Sequence, residues 1–98
     1  MSRIENNPNI HKSVLLDDFI ILQKNVKIGA DTELKSFIEL RENTIIGKNC
    51  YIDSGVKTSG DCVIGNNVTL RFNVIIARGV TVKDGAFLAP NDRDWETM

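Results

Sequence analysis

The chain has one histidine, His11, and two cysteines, Cys50 and Cys62, among 98 residues. One histidine does not supply, in a recognisable arrangement, the three imidazoles of a catalytic zinc centre, so no metal site is expected. Two cysteines are too few for a disulfide framework, and their spacing fits no metal-binding motif. No segment approaches the roughly 18 apolar residues of a membrane-spanning helix, and the N-terminal stretch Met1-Ser2-Arg3-Ile4-Glu5 has no signal-peptide core. No membrane association is expected, and the expected compartment is the cytoplasm. Charge of one sign never runs in blocks: 12 Lys and Arg stand against 13 Asp and Glu, for a formal net charge of −1. The basic footprint of a nucleic-acid-binding protein is missing.

What the chain does have is a six-residue register. Every sixth residue is aliphatic, from Ile4 through Ile10, Leu16, Leu22, Ile28, Leu34, Leu40, Ile46, Ile52, Thr58, Ile64, Leu70, Ile76 and Val82 to Leu88, with Thr58 the one departure. A period of six is neither the 3.6 of a helix nor, alone, the two of a strand. It predicts a repeat architecture in which each hexad forms one side of a coil. The hexads span residues 4–93 as a single domain, with 94–98 as a tail; a Trp95 plug over the open end, a fragment's end and a partner-capped end fit the pattern equally.

With the aliphatic residue as position 1, position 5 is mostly β-branched or small: Val14, Ile20, Val26, Thr32, Ile38, Thr44, Cys50, Val56, Cys62, Val68, Val74, Val80 and Ala86. Positions 5, 6 and 1 then read as a short strand, with 5 and 1 turned inward and 6 outward. Both cysteines occupy position 5 and read as buried, reduced thiols acting as small hydrophobes. Position 4 is Asn, Asp or Gly in twelve of fifteen hexads, the residues that tolerate left-handed backbone angles and so fit a sharp corner. Gly29, Gly47 and Gly65 recur at position 2 of every third hexad. Three hexads therefore make one turn, and fifteen make five coils, about 24 Å long at about 4.8 Å per coil.

Ile-Gly-x-x-small units at six-residue spacing, as in Ile28-Gly29-Ala30, Ile46-Gly47-Lys48 and Ile64-Gly65-Asn66, resemble the hexapeptide-repeat proteins. That resemblance implies an all-β fold, the left-handed parallel β-helix. It also implies an acyltransferase working as a homotrimer, with acetyl-CoA as cosubstrate and no covalently bound cofactor. The stretch from Ile46-Gly47-Lys48-Asn49-Cys50-Tyr51 through Asn67-Val68-Thr69-Leu70-Arg71-Phe72-Asn73 to Gly85-Ala86-Phe87-Leu88-Ala89-Pro90 is similar to the N-acetyltransferases of nucleotide-linked amino sugars. The resemblance implies that Asn73 lies by the acceptor amine. It implies too that Ala77, Gly79, Gly85 and Ala89 leave room for the pantetheine arm.

Where such enzymes carry an aromatic-His pair and a further His, this chain has Lys35, Ser36 and Glu39. The lone His11, at position 2 of the second hexad, is expected to face solvent near one end. Amine acetylation needs a group to take a proton. Glu39, at outward position 6, is the first candidate, and Asp53, one coil further on, the second; each could serve as base once an interface desolvates it. No hexad is interrupted, so no catalytic loop is expected to leave the prism.

Position 6 is also apolar at Leu15, Ile21, Ile45, Tyr51, Val63, Ile75 and Phe87. Phe19 and Phe37 break the corner rule at one corner of successive coils, with Phe72 near the same edge. Such apolar surface predicts self-association. Two readings of function stand: an acetyltransferase of a small-molecule acceptor such as a nucleotide-linked sugar, and a non-catalytic trimeric scaffold or binding module that has lost the histidines. Ice binding, which needs ranks of Thr-x-Thr on one face, is set aside.

Overall fold

The computed structural model describes residues 2–4 and 9–90 together with the backbone of 93–94. The Trp95 plug offered by the sequence lies outside these residues. Strands of two residues recur at six-residue intervals from Arg3–Ile4 to Arg93–Asp94, and no helix occurs among the described residues. Each strand pairs in parallel with the one eighteen residues later, so that Ile21 sits over Glu39 and Leu22 over Leu40. Three parallel sheets of six, five and five strands result. They are the faces of a three-sided β-helix measuring 28 × 21 × 20 Å.

Outward residues identify the faces. Face one carries Arg3, Ile21, Glu39, Lys57 and Ile75; face two carries Asn9, Lys27, Ile45, Val63 and Thr81. Face three carries Leu15, Glu33, Tyr51, Thr69 and Phe87. The strand proper is positions 6 and 1, one residue shorter than the sequence pattern predicts, while position 5 is buried from Ile20 to Val80 and partly buried at Val14 and Ala86.

Positions 5 and 1 fill the interior as one column of Ile, Leu, Val and Cys from Ile20 to Leu88. The first coil differs, for Ile4 and Leu16 are 46% and 37% exposed. Inward side chains need a coil on both sides to be covered, and none lies below these among the described residues. Polar groups inside are satisfied. Thr58 shares a 2.8 Å hydrogen bond with Thr44, and Thr32 Oγ1 donates to the Gly47 carbonyl at 2.8 Å. Both cysteines are free and buried. Each thiol donates to a carbonyl of the next coil at 3.1 Å, Cys50 to Gly65 and Cys62 to Ala77, and burial pushes the Cys50 thiol up.

Every corner residue from Phe19 to Gly85 at position 4 has positive φ. The corner between faces one and two adds a side-chain ladder along the axis. Asn25 Nδ2 donates to Asn43 Oδ1 at 3.2 Å, Asn43 Nδ2 to Asp61 Oδ1 at 3.0 Å, and Arg78 closes the ladder on Asp61 Oδ2. The Asn43 amide, and then Arg78, hold the Asp61 carboxyl below its ordinary value of 3.8. A carboxyl whose folded value is depressed adds stability above the unfolded value and loses it as pH falls through the folded value. Urea midpoints of the native chain should therefore drop below about pH 4 more steeply than those of Asp61→Asn, and parallel curves would show the ladder to be indifferent to charge.

Candidate functional site

Glu39 and Asn73 both border the edge where face three turns into face one. The corner column there reads Phe19, Phe37, Gly55, Asn73, all with positive φ. Each corner amide is tied to the coil below: Phe37 N–H donates to Asp18 O, Gly55 N–H to Ser36 O and Asn73 N–H to Ser54 O, at 3.2, 3.1 and 2.9 Å. The Asn73 side chain leans back over Gly55, into the space where a Cβ would stand. Two residues past the corner, Glu39, Lys57 and Ile75 follow one another up face one.

Beside this edge lies a cavity of about 540 Å³ lined by Ser2, Arg3, Phe19, Ile21, Phe37, Glu39 and Lys57. Its wall is apolar and its rim charged. Glu39 is half-buried, with Oε2 3.3 Å from Arg41 Nε. Lys57 Nζ reaches the Gly55 carbonyl at 3.4 Å. Asp53 caps the Ser54 amide and pairs with Arg71 Nε at 3.3 Å, and the Arg71 guanidinium lies 5.8 Å over the Phe72 ring. Lys35 sits 3.2 Å from Glu33, which raises its ammonium above the ordinary value.

The structure thus brings Glu39 and Asn73 to one edge, separated by the rung of Gly55 and Lys57. Of the residues expected along a pantetheine groove, Ala89 follows face three at this same edge. Ala77 and Gly79 lie at the edge between faces one and two, and Gly85 at the third. Gly79 and Gly85 are open, with nothing within 4 Å of an added Cβ. His11 is exposed with Nδ1 2.8 Å from Ser13 Oγ, on face two's far edge and away from Glu39. Lys57 and Arg3 belong to the cavity but were not singled out by sequence. The signal for Lys57 was the eighteen-residue spacing that places it one coil above Glu39.

Residues 43–78 match the family model described as bacterial transferase hexapeptide (six repeats). These residues carry the hexapeptide repeat of that family. No curated protein matches the chain in sequence. Among solved structures, the chain is similar to PerB from Caulobacter crescentus in complex with CoA and GDP-perosamine, at 16% identity and a TM-score of 0.54, covering 95% of this chain and 51% of PerB. A mutant of the GDP-perosamine N-acetyl transferase from the same organism, also with CoA and GDP-perosamine, matches at 15% identity and a TM-score of 0.50, over 95% of this chain and 50% of that one. The acetyltransferase domain of PglB from Neisseria gonorrhoeae, in complex with acetyl coenzyme A, matches at 16% identity and a TM-score of 0.49, over 95% and 51%. The chain spans about half the length of these proteins. Among the described residues no helix is long and apolar enough to cross a membrane.

Proposed function

We propose that this hexapeptide-repeat protein transfers acetyl from acetyl-CoA to the amine of a nucleotide-linked sugar or a similar small acceptor, as a cytoplasmic homotrimer. The reading is supported by the likeness of the fold, across 95% of the chain, to a structure in complex with CoA and GDP-perosamine. In the reaction the amine nitrogen attacks the thioester carbonyl carbon, the C–S bond breaks, and CoA leaves as the thiolate. The amine proton passes to a base, for which Glu39 is the carboxylate at hand, while the Asn73 amide orients the acceptor. Of the four small residues expected along the pantetheine arm, Ala89 lies on the edge of Glu39 and Asn73, whereas Ala77, Gly79 and Gly85 lie on the other two edges.

Calorimetry with acetyl-CoA tests the proposal. Saturable heat and a thermal shift are expected by millimolar ligand, and their absence sinks the enzyme reading. For the homotrimer, sedimentation should give three times the chain mass of 10.9 kDa, and a monomer at micromolar concentration is the result that overturns it. A non-catalytic trimeric scaffold or binding module is the second reading. It is favoured by the pairing of Glu39 with Arg41 at 3.3 Å and by the distance of His11's edge from this one.

A further inference from the structure

Phe19 and Phe37 stand where the fold gives a bulky side chain least. The ten other corner residues from Asn25 to Gly85 are Asn, Asp or Gly, whereas these two hold φ of 60° and 63°, an outlying conformation for a large L-residue. Both rings are also more than half exposed, at 51% and 61%. Neither burial within the chain nor backbone preference explains them, which points to a role in binding, of a ligand or of a second copy.

The rings lie parallel, 5.0 Å between centroids and 3° between planes, matching the rise of about 4.8 Å per coil. Gly55 comes next in the column and has no side chain, and the Asn73 amide leans over it from the coil above. The face of Phe37 turned away from Phe19 therefore looks onto a place one coil thick that holds no ring. Lys57 reaches that rung, with Nζ 3.4 Å from the Gly55 carbonyl, and Arg3 joins it around the adjoining cavity. The one carboxylate among the cavity's lining residues, Glu39, is paired with Arg41. Within that lining two cations stand against one paired carboxylate, which favours an anion there, while the exposed Asp17 and Asp18 lie on the coil of Phe19, at the far end of the ring pair from Gly55.

We propose that this edge is a nucleotide subsite. The planar base stacks on Phe37 as the third ring of the column, and its phosphates lie over Lys57 on the same rung. The inference deepens the proposed function and rests on it only for the source of the nucleotide: the adenine nucleotide of CoA, or the nucleoside diphosphate of the acceptor.

The test titrates the full chain with adenosine 3′,5′-bisphosphate, GDP, UDP and the base-free ribose 5-phosphate. The native protein is compared with Phe37→Leu, which keeps an apolar side chain without a π-face, and Phe37→Tyr, which keeps the face. Phe37→Leu should weaken nucleotide binding about tenfold or more, Phe37→Tyr should preserve it, and ribose 5-phosphate should bind weakly to all three. Preference for the adenosine bisphosphate assigns the subsite to CoA, and preference for GDP or UDP assigns it to the acceptor. Equal affinity of native and Phe37→Leu proteins, ribose 5-phosphate as tight as the nucleotides, or no saturable nucleotide binding at millimolar concentration overturns the proposal. Absent acetyl transfer with Phe37-dependent nucleotide binding sinks only the enzyme reading; transfer without that dependence sinks only the subsite.

Discussion

A Gly47→Ala variant should lose about 3 kcal/mol of folding stability, lowering Tm by roughly 12–24 °C for a domain of this size. The methyl group would stand 2.7 Å from the Gly65 carbonyl oxygen and 2.8 Å from its carbon. Both are backbone atoms fixed by the parallel ladder, since Gly47 N–H donates to Ile64 O at 2.9 Å and Gly65 N–H to Val82 O at 2.8 Å. No rotamer change relieves the clash, so the coils must part. The Asn66 side chain adds to it, since its Oδ1 lies over Gly47 while accepting from Lys48 N–H at 2.8 Å. Gly29 is closed in the same way, with an added Cβ 2.7 Å from the Gly47 carbonyl carbon. Gly79→Ala is the control, because nothing lies within 4 Å of its Cβ and only the φ of +79° opposes the change. Its cost should be about 1 kcal/mol. Thermal melts of the two variants check the order, and a Gly79 variant less stable than the Gly47 variant would refute this account of the glycine column.

These two glycines mark what the hexad pattern makes legible. Position and period alone place Gly47 over Gly65 and Gly79 at a corner, because in a parallel β-helix residues eighteen apart must stack. The same logic assigns the faces correctly: Ile45 lies beside Val63, and Leu15, Tyr51 and Phe87 share a sheet. It fails where neighbours run out, as at Ile4 and Leu16, whose inward positions do not bury them. A repeat pattern specifies direction, and burial also needs a coil on either side.

The candidate site was legible only in part. Phe19 and Phe37 stood out as violations of the corner rule, and their shared column follows from spacing. Glu39 was identified as an outward carboxylate, but its pairing with Arg41 two residues on, and the cavity it borders with Arg3 and Lys57, depend on rotamers that no period encodes. An outward lysine such as Lys57 reads like any solubilising charge until the column beside it is seen. The four small residues expected along one groove illustrate the opposite limit. Small size was read correctly, yet the coil distributes Ala77 and Gly79, Gly85, and Ala89 over three edges.

The largest functional effect expected is that of Glu39→Gln, which should lower kcat for acetyl transfer by about 10²- to 10⁴-fold, the usual contribution of a general base. The substitution keeps the shape of the side chain and its place between Ile21 and Lys57 on face one. It removes only the charge that accepts the proton in the proposed reaction. The lost ion pair with Arg41 is worth little to folding, because Arg41 is 55% exposed and solvent screens the pair. Stability and acetyl-CoA binding should therefore stay near those of the native protein while turnover collapses, a split that separates loss of the base from loss of the fold. Asp53→Asn provides the comparison. Asp53 is the second carboxylate that the sequence offers as base at this edge, but one oxygen caps Ser54 N–H at 2.8 Å and the other meets Arg71 at 3.3 Å. With both oxygens engaged in structure, its replacement should cost stability and leave the transfer rate of the folded protein unchanged. Rates measured for both variants with acetyl-CoA and an amino-sugar nucleotide decide the matter: undiminished kcat in Glu39→Gln removes Glu39 from the chemistry, and a collapse in Asp53→Asn alone moves the base one coil along the edge.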